Sequence, residues 1–114
     1  MGRRNAFGLA FLAASVGLGC VSLGEARIEE LVESAATADD HWAIVEYYRE
    51  EAAEARKKGA EHRRLAGVYG GRHNWGVAFA DRAGGHCNEL AALEDERAAR
   101  YELLAVEHER VAQE

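Results

Sequence analysis

The sequence predicts an all-α protein: a long antiparallel helical hairpin preceded by a short amphipathic helix. Three observations lead there. The chain of 114 residues has no proline and is rich in Ala, Glu and Arg, the composition of long uninterrupted helices. Small and apolar residues recur at heptad spacing through two stretches of similar length. Between those stretches lies a single break, Gly70-Gly71-Arg72-His73-Asn74-Trp75-Gly76, whose glycines and Asn mark a turn. A chain of this length holds one small domain and is too short for two independent cores.

Residues 1–19 read differently from the rest. Arg3 and Arg4 precede an uncharged stretch from Asn5 to Gly19, and no acid appears before Glu25. A basic start, a short apolar run and small residues at its end make a secretory signal. The run is shorter than the ~20 residues of a permanent membrane span, so removal is expected. Its last five residues, Val16-Gly17-Leu18-Gly19-Cys20, resemble the lipobox of bacterial lipoproteins, with Gly17 where that pattern more often has Leu. The resemblance implies a lipid on the Cys20 thiol and a new N-terminus there. Val21 stands where an inner-membrane retention Asp would be, which implies delivery to the outer membrane, on the periplasmic side. Cleavage after Ala26, at Gly24-Glu25-Ala26, and an uncleaved N-terminal helix are the alternatives.

Loss of residues 1–19 removes two arginines and no acid, taking the net charge from -6 to -8. An acidic body disfavours nucleic acid and anionic lipid as partners. With Cys20 acylated, Cys87 is the remaining thiol in an oxidising compartment, so it requires burial, a ligand or a disulfide between chains.

After a linker, Glu25 to Ala36 forms the short helix, with Ile28, Leu31, Val32 and Ala35 on one face. Thr37 with Asp40 three residues on is a capping box, so the first long helix is expected from about Ala38 to about Tyr69. The second runs from about Val77 to about Ala112, with Gly84 and Gly85 marking an alternative start near His86. The domain plan is therefore a signal at 1–19, an anchor and short helix at 20–37, and the hairpin at 38–114.

The two long helices read as an internal repeat at an offset of 46 residues, on matches such as Glu50/Glu96, Glu61/Glu107, His62/His108 and Arg64/Arg110. One heptad row is His41, Tyr48, Ala55, His62, Tyr69, facing Cys87, Glu94, Tyr101, His108. Beside it runs a row of small residues, Val45, Ala52, Gly59, Ala66 with Ala91, Ala98, Ala105, Ala112, which lets the helices approach closely in coiled-coil fashion. Such a seam is thin, so a further layer is expected from the short helix, from a second copy completing a four-helix bundle, or from another protein.

A turn centred near Asn74 and Trp75 pairs residues whose numbers sum to about 149. His41 then faces His108, Tyr48 faces Tyr101, and His62 faces Cys87 with His86 close to the same level. Imidazole and thiolate are ligands for zinc, copper and iron, which makes these two groups, about 31 Å apart, candidate metal or haem sites. The simpler reading has them as seam residues hydrogen-bonded to Tyr or Glu. His73 and Trp75 in the turn are candidate partner contacts. The basic cluster Arg56-Lys57-Lys58 with Arg63-Arg64 reads as a solvated helix face.

No Ser/His/Asp order, phosphate loop or spaced carboxylate pair is present, so the expected function is non-enzymatic. It is that of an envelope interaction or scaffold lipoprotein, a homodimer or a subunit of a membrane-associated complex. The alternative is a small metal- or haem-binding protein.

Overall fold

The computed structural model describes residues 22–114, with side-chain surroundings from residue 27 onward. The expected signal at residues 1–19 and the lipid site at Cys20 lie outside them. The described residues fold as three helices, α1 (Ser22–Ser34), α2 (Ala38–Gly70) and α3 (Val77–Gln113), with a 3-10 turn at His73–Trp75. No strand occurs among them, and α2 packs along α3 as an antiparallel hairpin. No described helix is long and apolar enough to cross a membrane.

The break between α1 and α2 is chemical. Asp40 accepts from the amides of Ala36 and Thr37 at 2.9 and 2.8 Å, while its own amide donates to Thr37 Oγ1 at 3.2 Å. This is the expected capping box, and it starts α2 at Ala38. Because the Ala36 amide is held by Asp40, α1 stops at Ser34 and does not reach Ala36. The Ala36 amide, and after it the Thr37 amide and side chain, hold the Asp40 carboxyl below the usual carboxylate range.

At the other end α2 closes through the Gly71 amide, which donates to Gly67 O at 3.2 Å. Gly76 has φ of +97°, a conformation that side chains rarely adopt, and its carbonyl accepts from Ala80 at 3.0 Å to open α3. The helix then runs unbroken to Gln113, so the alternative start near His86 is not taken. Gly84 does not break α3 because its missing side chain is used in packing. A Cβ there would stand 3.3 Å from the Ala66 carbonyl oxygen, and one at Gly59 would stand 3.4 Å from that of Ala91.

These two close approaches lie in a ladder of buried small residues: Val45, Ala52, Gly59 and Ala66 on α2, with Gly84, Ala91, Ala98 and Ala105 on α3. The seam is close and correspondingly thin. Ile44 and Val45 are the largest fully buried side chains among the described residues, and elsewhere the core is methyl groups such as Ala52, Ala55 and Ala98 with Tyr101 packed against them.

One flank of the seam carries a second ladder. Arg49, Arg56 and Arg63 pair with Glu109, Glu102 and Asp95, a heptad step at a time in opposite directions along the two helices. The opposite flank mixes aliphatic side chains with Glu51, Lys58 and Arg97. Each residue of the ionic ladder directly follows a position of the His/Tyr row, whereas Leu65, Leu90, Leu104 and Val111 directly precede a position of the small row. At about 100° per residue the two sets fall on opposite edges.

Candidate functional site

At the open end of the hairpin, the capping box sets the start of α2 and the seam sets the level of α3. Together they bring His41 to His108. The Nδ1 atoms are 2.9 Å apart and the ring centroids 5.2 Å, with the planes tilted by 32°. One Nδ1–H donates to the other Nδ1, so this hydrogen bond requires at least one of the two rings to be neutral at that atom. Both rings are partly buried. Burial pushes the His108 imidazole below its usual value, and the neighbouring His41 adds to this. Tyr48 stacks on Tyr101 at 6.0 Å and lies 6.0 Å from His108, which closes the inner side of the pair with aromatic surface.

The second expected group is assembled only in part. Cys87 is a free, buried thiol, and His62 lies one turn of α2 from each of Gly59 and Ala66, the residues that touch α3 on either side of Cys87. His62 Nδ1 is buried without a hydrogen-bond partner. His86 does not join this group. Its side chain is about three-quarters exposed and lies 3.4 Å from Glu89, because the residue next to a seam position on a helix points about 100° away from it. Two turns further along the Cys87 row, Glu94 Oε2 is also buried without a hydrogen-bond partner. Nowhere among the described residues do three His, Cys, Asp or Glu side chains converge as a metal cage.

At the turn, Trp75 is 56% exposed and so offers a contact surface, yet it is also anchored. Its ring meets Phe79 edge-on at 6.0 Å and the Arg72 guanidinium lies over it at 5.4 Å. His73 is exposed beside it.

Two features escape a reading based on seam rows alone. The ion-pair ladder divides the basic cluster, since Arg56 and Arg63 reach across to α3. Its signal is an arginine at every seventh position of α2 matched by an acid at every seventh of α3. The Glu94 carboxylate, with one oxygen buried, is the other, and its place in a row otherwise made of Cys, Tyr and His is the cue.

No protein-family model matches the chain, and comparison with curated proteins and with solved structures finds no significant match.

Proposed function

We propose that this chain is a non-enzymatic interaction module of the bacterial envelope, held at the periplasmic face of the outer membrane by a lipid on Cys20, and that its hairpin works by pairing with a second copy of itself. The lipobox-like Val16-Cys20 supports the anchor. The aliphatic edge supports the pairing and is the single observation that carries it.

Leu65, Leu90, Leu104 and Val111 are 37, 45, 42 and 47% exposed on one edge of a hairpin whose own core is mainly methyl groups. Exposed aliphatic side chains that recur along one edge of a hairpin with so thin a core are what association covers. The occupant argued for is a second copy because the same edge is self-complementary. Glu51 and Lys58 on α2 and Arg97 on α3 occupy positions of the same edge between the aliphatic ones, so a two-fold axis would bring opposite charges together beside the leucines.

Sedimentation velocity of the full chain in mild detergent tests this reading. The wild type should run as a dimer, and Leu90→Glu with Leu104→Glu should run as a monomer with unchanged helicity. An exposed-face control, Glu50→Gln, should leave the dimer intact. A wild-type monomer at tens of micromolar would refute self-pairing and leave a different protein as the occupant of the edge.

A further inference from the structure

The His41–His108 pair can do more than share a proton. Two imidazoles from the two arms of the hairpin aim the same atom, Nδ1, at one point from 2.9 Å apart. Only one proton fits between them, and the lone pair that accepts it is also a metal-ligand orbital. Zinc sits about 2.0–2.1 Å from imidazole nitrogen in tetrahedral geometry, which sets two such nitrogens about 3.3–3.4 Å apart. The pair is therefore about 0.4 Å too close for the ion and needs only small rotations about the broad His χ2 torsions to admit it.

We infer that His41 and His108 form a two-nitrogen seat for a borderline divalent transition cation, Zn²⁺ in type, at the open end of the hairpin. This does not rest on the self-pairing proposed above. The ion takes the place of the shared proton: the donor ring gives up its Nδ1 proton and takes one from solvent at Nε2, so both rings stay neutral as Nε2–H tautomers and each Nδ1 donates its lone pair to the metal. Two further coordination positions face outward and are filled by water. The carboxylates next to the two histidines in sequence have other partners: Asp40 is committed to the Ala36 and Thr37 amides, Glu107 to Arg110 at 3.2 Å, and Glu109 to Arg49 at 3.0 Å. A seat with two nitrogens and no oxygen ligand from the protein selects against Mg²⁺ and Ca²⁺. The ligands are preorganised by the cap, the seam and the Tyr48 ring, so little ordering remains when the ion binds. The two histidines come from the first turn of α2 and the last turns of α3, so the ion clasps the ends of the hairpin that the turn leaves open.

The test is a titration of the full chain at neutral pH with Zn²⁺, with Mg²⁺ as the comparison, read by isothermal calorimetry and by the thermal midpoint. The wild type should take up an equivalent of Zn²⁺ with a raised midpoint and show no response to Mg²⁺. His41→Ala and His108→Ala should each lose that equivalent, while His73→Ala and His86→Ala should retain it. Should the substitutions unfold the hairpin, the wild-type protein still decides the matter. On adding Zn²⁺ its His41 and His108 ¹⁵Nδ1 resonances should both move to the metal-bound range. Zn²⁺ uptake that survives loss of both histidines, or Nδ1 resonances that do not move, would overturn the assignment and leave a hydrogen-bonded pair only. Sedimentation in the presence of a chelator reads self-pairing separately, so either proposal can fail without the other.

Discussion

Gly84 of α3 lies against Ala66 of α2 so closely that a Cβ on the glycine would stand 3.3 Å from the alanine's carbonyl oxygen. Its neighbour Gly85 faces open space, with nothing within 4 Å of where its Cβ would stand. The two glycines thus occupy the same helix for opposite reasons, and substitution separates them. Gly85→Ala should stabilise the protein by about 0.5–1 kcal/mol, the helix-propensity difference. Gly84→Val should destabilise it by about 1–3 kcal/mol, because the atom it meets is backbone and cannot turn aside. Urea midpoints at a common m-value check both, and a Gly84→Val protein as stable as wild type would mean that the seam is looser than described.

Glu94 places a carboxylate oxygen in the seam without a hydrogen-bond partner, its other oxygen lying 3.7 Å from an exposed Arg97 guanidinium. An unsatisfied buried oxygen costs about 1–3 kcal/mol, and more when it carries charge. Glu94→Leu should therefore raise stability by about 1 kcal/mol, seen as a higher thermal midpoint. A lower midpoint would show that the carboxylate has a partner in solution.

His108 predicts a pH dependence for the metal-free protein. Its folded-state value is depressed below the ordinary 6.5, so the unfolded chain binds the proton more readily than the folded one. Stability from this group is complete above about 6.5 and is lost as pH falls through that value toward the folded one. The urea midpoint in the presence of chelator should fall from pH 8 to about pH 5, and His108→Phe should flatten that slope. A midpoint that rises on acidification would contradict the assigned direction.

The ion-pair ladder should contribute little to stability. Its side chains are about half exposed in the Arg56–Glu102 and Arg63–Asp95 pairs, and surface pairs couple by about 0.2–1 kcal/mol. A double-mutant cycle with Arg56→Ala and Glu102→Ala should give a coupling in that range that shrinks in high salt. A coupling above about 2 kcal/mol would show a desolvated pair.

Much of this architecture was legible in the residues themselves. Thr37 and Asp40 announce the start of α2, the Gly70–Gly76 break announces the turn, and the heptad rows place His41 opposite His108 because a short turn leaves little freedom in level. Other features needed three-dimensional information. Gly84 and Gly85 look alike as helix weakeners, and only the approach of Ala66 distinguishes a packing glycine from an idle one. His86 lies next to a seam residue in sequence, yet a step of about 100° carries it out to solvent. The arginines of the ladder are masked by equally charged neighbours, Lys57, Lys58 and Arg64, that face elsewhere.

The small-residue ladder has one more consequence, for the uniqueness of the alignment. Both it and the ionic ladder repeat every seven residues, so sliding α3 past α2 by one heptad, about 10 Å, would again set small residue against small residue and arginine against acid. Over most of its length the seam barely distinguishes the native alignment from its shifted twin. The distinction is left to the two ends, where the short Gly70–Gly76 link has no slack to give and where a slid helix would set His41 against Tyr101 in place of His108. In this hairpin the spacer between the helices acts as the ruler, and residues added to it would weaken alignment before they weakened helicity.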